Sequence, residues 1–253
     1  MALYDRAADR TATWDPGQYG RFSDHRSRPF FDLVNRIDAA DPALVVDLGC
    51  GSGELTATLA DRWPSARVLG IDNSASMLES AAAQASDRVS FAAGDLSSYL
   101  PDPAAEVVVS NAAYQWVDGA SAMLSTIAAQ LPAGGWLAIQ VPGNFQAPSH
   151  RAIRELVAEP RWQRATGGLR LREDPVLEPD GYLDLFAAAG LLPDVWETTY
   201  LQLLPGANPV LEWVKGTALR PVLTALPKTE HAEFLSELSL RLRAVYRAQP
   251  YGT

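Results

Sequence analysis

Between positions 44 and 53 the chain reads Leu-Val-Val-Asp-Leu-Gly-Cys-Gly-Ser-Gly, and no other stretch narrows the fold so far. Apolar residues, two of them β-branched, run straight into three glycines spaced two apart, and Glu54-Leu55-Thr56-Ala57-Thr58-Leu59-Ala60 behind them favours helix. The pattern predicts a buried strand, a tight turn and a helix start. Gly49, Gly51 and Gly53 carry no Cβ, so a ligand can lie against the main chain there. The helix start adds free N–H groups and the positive end of a dipole, which suit an anionic group. A plain strand-to-helix turn can hold the same glycines. Two acids sharpen the reading: Asp47 just before the turn, and Asp72 at the end of the next strand-like run, Val68-Leu69-Gly70-Ile71. An acid about 20 residues past such glycines is placed to accept the ribose hydroxyls of a nucleoside.

Two cofactor classes use that arrangement. A dinucleotide site wants a third small residue at position 54, and Glu54 would repel a pyrophosphate there. S-adenosylmethionine has no phosphate, and its ammonium can pair with Asp47 directly or through water. The run Asp47-Leu48-Gly49-Cys50-Gly51-Ser52-Gly53 resembles the first motif of the class I S-adenosylmethionine-dependent methyltransferases, whose product is S-adenosylhomocysteine. Further along, Asn73 and Met77 follow the ribose acid, where residues of this fold flank the adenine; core packing is the other reading of Met77. Asp95 and Leu96 close the third strand, where an acid can accept from the adenine amino group; a turn aspartate is the alternative. Asn111 ends the fourth strand, facing the methyl donor. The spacing of Asn111 and Tyr114 is that of an Asn-Pro-Pro-Tyr motif used on amino groups of DNA bases and protein glutamines, but both prolines are missing.

The chain has 253 residues, 47% of them hydrophobic, enough for a sizeable core, and a net charge of −9. That charge argues against a nucleic-acid substrate. Cys50 is the sole cysteine, and the three histidines lie far apart, so neither a disulfide framework nor a metal site is legible. No apolar run is long enough for a membrane span and no signal h-region stands at the start, so the expectation is a soluble cytoplasmic protein.

Strands are expected over 67–71, 89–92, 106–110, 136–141 and 194–203, and helices over 30–37, 74–84 with Ser74 as N-cap, 118–131, 180–190, 209–226 kinked at Pro221, and 229–248. Their alternation predicts an α/β, doubly wound, mostly parallel Rossmann-like sheet with helical cap insertions, in a single domain over 1–253. Residues 14–29 form an N-terminal active-site segment in which His25, Arg26 and Arg28 cluster ahead of a helix. Residues 142–179, where the regular pattern fails, and 205–249 are expected to cap and cover the strand ends.

Several runs outside the glycine turn resemble the trans-aconitate methyltransferase family: Trp14-Asp15-Pro16, Arg26-Ser27-Arg28-Pro29, Arg62-Trp63-Pro64, Gln115-Trp116, Gln140-Val141-Pro142-Gly143-Asn144-Phe145, Val195-Trp196-Glu197-Thr198-Thr199-Tyr200, and Glu212-Trp213-Val214 with Leu219-Arg220-Pro221. The resemblance covers nearly all of the chain from Trp14 to Tyr251. It implies esterification of one carboxylate of a small tricarboxylate, trans-aconitate, with S-adenosylmethionine as donor. A carboxylate is already ionised at neutral pH, so no general base is required and none is found. The remaining carboxylates suit bidentate arginines; Arg26, Arg28 and Arg220 are the candidates, with His25, Tyr114, Trp116, Asn144, His150, Tyr200 and Trp213 as neighbours. A methyltransferase for another small acid, or a non-catalytic S-adenosylmethionine sensor, stands as an alternative. Ser52 replaces a proline common in that turn. Proteins of this type also carry one more strand after the last helix, which implies a sheet here without its antiparallel edge member.

Overall fold

The computed structural model describes residues 23–249, and of 23–26 only the backbone. In chain order the elements are α1 (Ser23–Val34), β1 (Leu44–Leu48), α2 (Glu54–Arg62), β2 (Arg67–Asp72), α3 (Ala75–Ala81), β3 (Val89–Ala93), β4 (Val107–Asn111), α4 (Ala120–Gln130) and β5 (Trp136–Gln140). The second half holds α5 (Pro148–Ala158), α6 (Pro160–Ala165), α7 (Pro179–Ala188), α8 (Pro209–Lys215), α9 (Arg220–Ala225) and α10 (His231–Val245). Among the described residues, no helix is long and apolar enough to cross a membrane.

Two compact units divide these elements. One, built from Ser23–Gly143 and Pro175–Thr198, contains the sheet. All five strands run parallel in the order β3-β2-β1-β4-β5. This is a Rossmann-like α/β sheet, and the order reverses between β1 and β4, where such sheets open a crevice. Strand alternation splits the core across the two faces. Val45, Val68, Val107 and Val109 pack with Phe30, Val34, Leu59 and Trp63 on one side, while Val46, Leu48, Ile71 and Val108 pack with Leu124 and Ile127 on the other. Burial on both faces is why these strands read as continuous apolar runs. The second unit is helical, formed by Asn144–Asp174 and the described part of Thr199–Thr253; its core joins Ile153, Leu156, Trp162, Val214, Leu219, Phe234 and Leu238.

Several expectations need correction. α1 begins at Ser23 and runs through Pro29, so His25, Arg26 and Arg28 stand on the helix instead of ahead of it. The proline removes one backbone donor, and burial of Phe30, Leu33 and Val34 against the sheet offsets that cost. Within 142–179, where no pattern was legible, Pro148 and Pro160 open α5 and α6 from the first helical position. The single kinked helix over 209–226 is two helices: α8 ends at Lys215 with Gly216 as its C-cap, and Pro221 helps start α9. Ser74 sits at the N-cap of α3, yet its hydroxyl makes no capping bond and lies 3.1 Å from the Ser76 hydroxyl.

No strand forms over 194–203. Alternating polarity makes a strand only where a neighbour completes the ladder, and none of the described residues does so. Instead Asp194 pairs with Arg36 at 3.3 Å, and the same guanidinium lies 4.0 Å from the centre of the Trp196 ring. Leu201 is left 88% exposed.

Candidate functional site

The carboxyl ends of β1, β2 and β4 meet the glycine turn in the sheet unit. Gly49, Gly51 and Gly53 have φ of 83°, 55° and 79°, a region that side chains rarely enter. Gly49 N–H (2.7 Å) and Cys50 N–H (3.0 Å) both donate to the Ile71 carbonyl, tying the turn to β2. Space differs sharply among the three glycines. A Cβ at 49 would stand 2.3 Å from that of Ala113, and one at 53 would stand 2.6 Å from the Phe91 ring. A Cβ at 51 would meet nothing within 4 Å. The protein fills two of the positions, and the third faces open space.

Asp47 ends the apolar run of β1 and is 3% exposed. Its Oδ2 accepts a hydrogen bond from Thr56 Oγ1 at 2.6 Å. Burial pushes its carboxyl up to about 6; the Thr56 bond opposes the rise, and the negative charge of Asp72 adds to it. Asp72 closes β2 half-buried. Its Oδ2 accepts from Gly51 N–H at 3.0 Å and its Oδ1 from Ser74 N–H at 2.8 Å. Burial raises its carboxyl as well, against the lowering effect of those backbone donors and of Asn73 N–H. Each oxygen keeps lone-pair capacity for a further donor such as a ribose hydroxyl. Neither carboxylate has a cationic partner among the described residues. A buried and a half-buried carboxylate, with no cationic partner among the described residues and beside a glycine that faces open space, are a chemical fit for a positively charged ligand rich in hydroxyls.

Other sequence-derived candidates fall around this centre in different ways. Leu96 is buried, and its Cδ1 would lie 3.4 Å from a Cβ at position 49. Met77 is buried at 4% exposure and Asn73 is exposed on the same turn into α3. Asp95 is exposed, with its Oδ1 accepting from the N–H and hydroxyl of Ser97 at 2.9 and 2.7 Å, the geometry of a turn aspartate. Asn111 ends β4; its Oδ1 is buried and accepts no hydrogen bond among the described residues. The next residue, Ala112, has φ of 54°, the one positive value outside glycine among the described residues. Gln115 Nε2 donates to the Ala112 carbonyl at 2.6 Å and holds the strained hook closed, and Ala113 is thereby pressed against Gly49. Tyr114 packs into the core with Leu48, Ile71 and Leu124, while Trp116 is half-buried at the end of a 3₁₀ turn.

The cationic candidates are less gathered. Arg28 is exposed on α1. The side chains of His25 and Arg26 lie outside the described residues. Arg220, at the start of α9 in the helical unit, is 7% exposed, unusually deep for an arginine. In the same unit His150 stacks edge-on to Phe145 at 5.5 Å, and burial first, then Arg154, lowers its imidazole to about 4, so the ring is neutral at physiological pH.

Sequence reasoning missed Thr56, Ala113 and Ser110. The last donates from its hydroxyl to the Leu48 carbonyl at 2.6 Å and closes β4 on β1 at the switch point. Of the three, Thr56 alone had a legible signal, a hydroxyl on the first turn of the helix that follows the glycines.

Comparison with known proteins adds an independent line. Residues 45–135 match the profile of a methyltransferase domain family. A trans-aconitate 2-methyltransferase of Streptomyces coelicolor is 50% identical over 250 residues, spanning 95% of this chain and 82% of that protein. One of Rhodococcus jostii is 47% identical over 243 residues, spanning 95% and 94%. Among solved structures, the YcgJ protein of Bacillus subtilis superposes with a TM-score of 0.53 at 15% identity over 88% of this chain and 85% of that one, a likeness of fold.

Proposed function

The chain belongs to the trans-aconitate 2-methyltransferase family, and from that premise we propose that it transfers the methyl group of S-adenosylmethionine to one carboxylate of trans-aconitate, giving a monomethyl ester and S-adenosylhomocysteine. The observation that carries the reading is the pair of carboxylates, buried Asp47 and half-buried Asp72, with no cationic partner among the described residues, beside the open face of Gly51. In this reading Asp47 receives the donor's ammonium and Asp72 the ribose hydroxyls. Gly49, Gly51 and Gly53 let the ligand approach the backbone, Asn73, Met77, Asp95 and Leu96 border the adenine, and Asn111 faces the sulfonium end. Bound there, S-adenosylmethionine supplies a methyl group on a positively charged sulfur.

What the chain itself must do follows from the nucleophile. A carboxylate with an ordinary pKa near 4 needs no base, so the side chains align it, hold the other two carboxylates and keep water away. Displacement cancels the charges of nucleophile and donor together, so a dry site favours the transition state. Arg26, Arg28, Arg220, His25 and Trp116 are the residues assigned to the acid. A grip on the two carboxylates that do not react fits best, because an arginine clamped on the reacting one would hold back its lone pair. A cytoplasmic setting fits the free thiol of Cys50.

The test is incubation with labelled S-adenosylmethionine and trans-aconitate, followed by mass spectrometry of the product. A monomethyl ester formed faster from trans-aconitate than from cis-aconitate, isocitrate or monoacids is the expected result. Donor binding without turnover of any acid would overturn it. Asp72→Ala should lose donor affinity, and Arg26→Ala should raise KM for the acid while leaving donor binding intact.

A further inference from the structure

Hydroxyl side chains inside helices ordinarily bond back to their own helix. Thr58 does so, donating to the Leu55 carbonyl at 2.6 Å, and Thr126 donates to the Ala122 carbonyl at 2.9 Å. Thr56 departs from this habit. It sits on the first turn of α2, is fully buried, and turns its hydroxyl out of the helix to Asp47 Oδ2 at 2.6 Å. That bond is the one side-chain hydrogen bond Asp47 makes among the described residues, and it occupies one oxygen while leaving Oδ1 for a ligand.

We propose that Thr56 is a positioning residue of the donor site, whose hydroxyl fixes the Asp47 carboxylate in the orientation that receives the ammonium of S-adenosylmethionine. The proposal rests on the assignment of Asp47 to that ammonium. Charge reinforces the geometry. The groups facing Asp47 are Asp72 from β2, which disfavours a second negative charge, and the Cys50 thiol in the turn, itself held protonated by burial and by both carboxylates. Against burial and Asp72, the Thr56 hydroxyl is the contact that favours the ionised carboxylate. Without it the carboxyl would hold its proton to higher pH, and an uncharged acid offers the ammonium little. The hydroxyl therefore couples donor affinity to pH, though it never touches the donor.

Thr56→Val keeps the shape and removes the donor hydroxyl, and Thr56→Ser restores it. Calorimetric binding of S-adenosylhomocysteine, which carries the amino-acid end, is compared with that of methylthioadenosine, which lacks it, at pH 6 and pH 8. Taking the lost bond as about one pKa unit on a carboxyl that ionises near 6, Thr56→Val should bind S-adenosylhomocysteine about fivefold more weakly at pH 6 and almost as tightly as the wild-type protein at pH 8. Thr56→Ser should follow the wild-type protein at both, and methylthioadenosine should bind all three proteins alike. Equal loss for both ligands would make Thr56 a packing residue and overturn the proposal, as would a Thr56→Val affinity matching wild type at pH 6. A wild-type protein that binds methylthioadenosine as tightly as S-adenosylhomocysteine would refute the role given to Asp47 but keep the nucleoside site. Binding of neither would remove the cofactor reading and the proposal with it.

Discussion

At Asp47, stability and function pull against each other. An unfolded carboxyl ionises near pH 4, whereas this one, 3% exposed, ionises only near 6. Between those values the folded chain holds a proton that the unfolded chain has released, so stability falls as pH rises through the window, by up to about 3 kcal/mol in all, and the deficit persists above it. Asp47→Asn removes the titration. Its urea unfolding midpoint should exceed that of the wild-type protein at pH 7.5 and approach it at pH 4.5, while its affinity for S-adenosylmethionine falls at least tenfold. Equal pH dependence in the two proteins would show that Asp47 is not the buried acid responsible. The neighbouring Gly49 is a different case. A methyl group there meets Ala113 at 2.3 Å and forces a side chain into φ of 83°, so Gly49→Ala should lose several kcal/mol and yield little folded protein at 37 °C.

The hook from Asn111 to Trp116 carries strain within a single element. Left-handed geometry at Ala112 costs an alanine about 1 to 2 kcal/mol, and a glycine there would return part of that gain through its looser unfolded state. Ala112→Gly should therefore raise stability by at most about 1 kcal/mol, read as a rise in Tm of a few degrees. What the chain disclosed of its elements followed the same local logic. β1 and β4 were the most legible strands because their residues are buried on both faces and read as apolar runs, and the glycine turn was legible because its backbone demands are met by glycine. α5 and α6 were not, since the regular pattern fails over 142–179 and their one local signal is a proline at the first helical position, Pro148 and Pro160. The strand expected over 194–203 failed for a reason no local pattern contains: pairing is decided by what lies alongside. Thr56 escaped notice because a threonine on the first turn of a helix signals a hydroxyl near the glycine turn but not that the hydroxyl leaves the helix for Asp47. The assignment of Asp95 to the adenine rests on sequence alone, and the turn it builds with Ser97 is visible only in three dimensions.

On the scale of the whole molecule, under the proposed function a chain with net charge −9 must bind a trianion against its own bulk field. Raising ionic strength from about 20 to about 150 mM should lower KM for the acid by damping the repulsion, whereas attraction to a nucleic acid would weaken steeply over the same range. Five parallel strands deliver their carboxyl ends to one edge, and with them Asp47, Asp72 and Asp95. That acidic margin dictates a sequence of arrival. A donor that carries a sulfonium and an ammonium against one carboxylate is net cationic and is attracted to that margin, and under the proposed function the anionic acceptor meets less repulsion once the donor is bound. Kinetics should therefore be compulsory-order, with an unreactive tricarboxylate analogue inhibiting uncompetitively against S-adenosylmethionine; noncompetitive inhibition, the random-order pattern, would mean that the margin does not govern entry. Ordered entry of that kind would make the three aspartates a turnstile, admitting the second guest only in the company of the first.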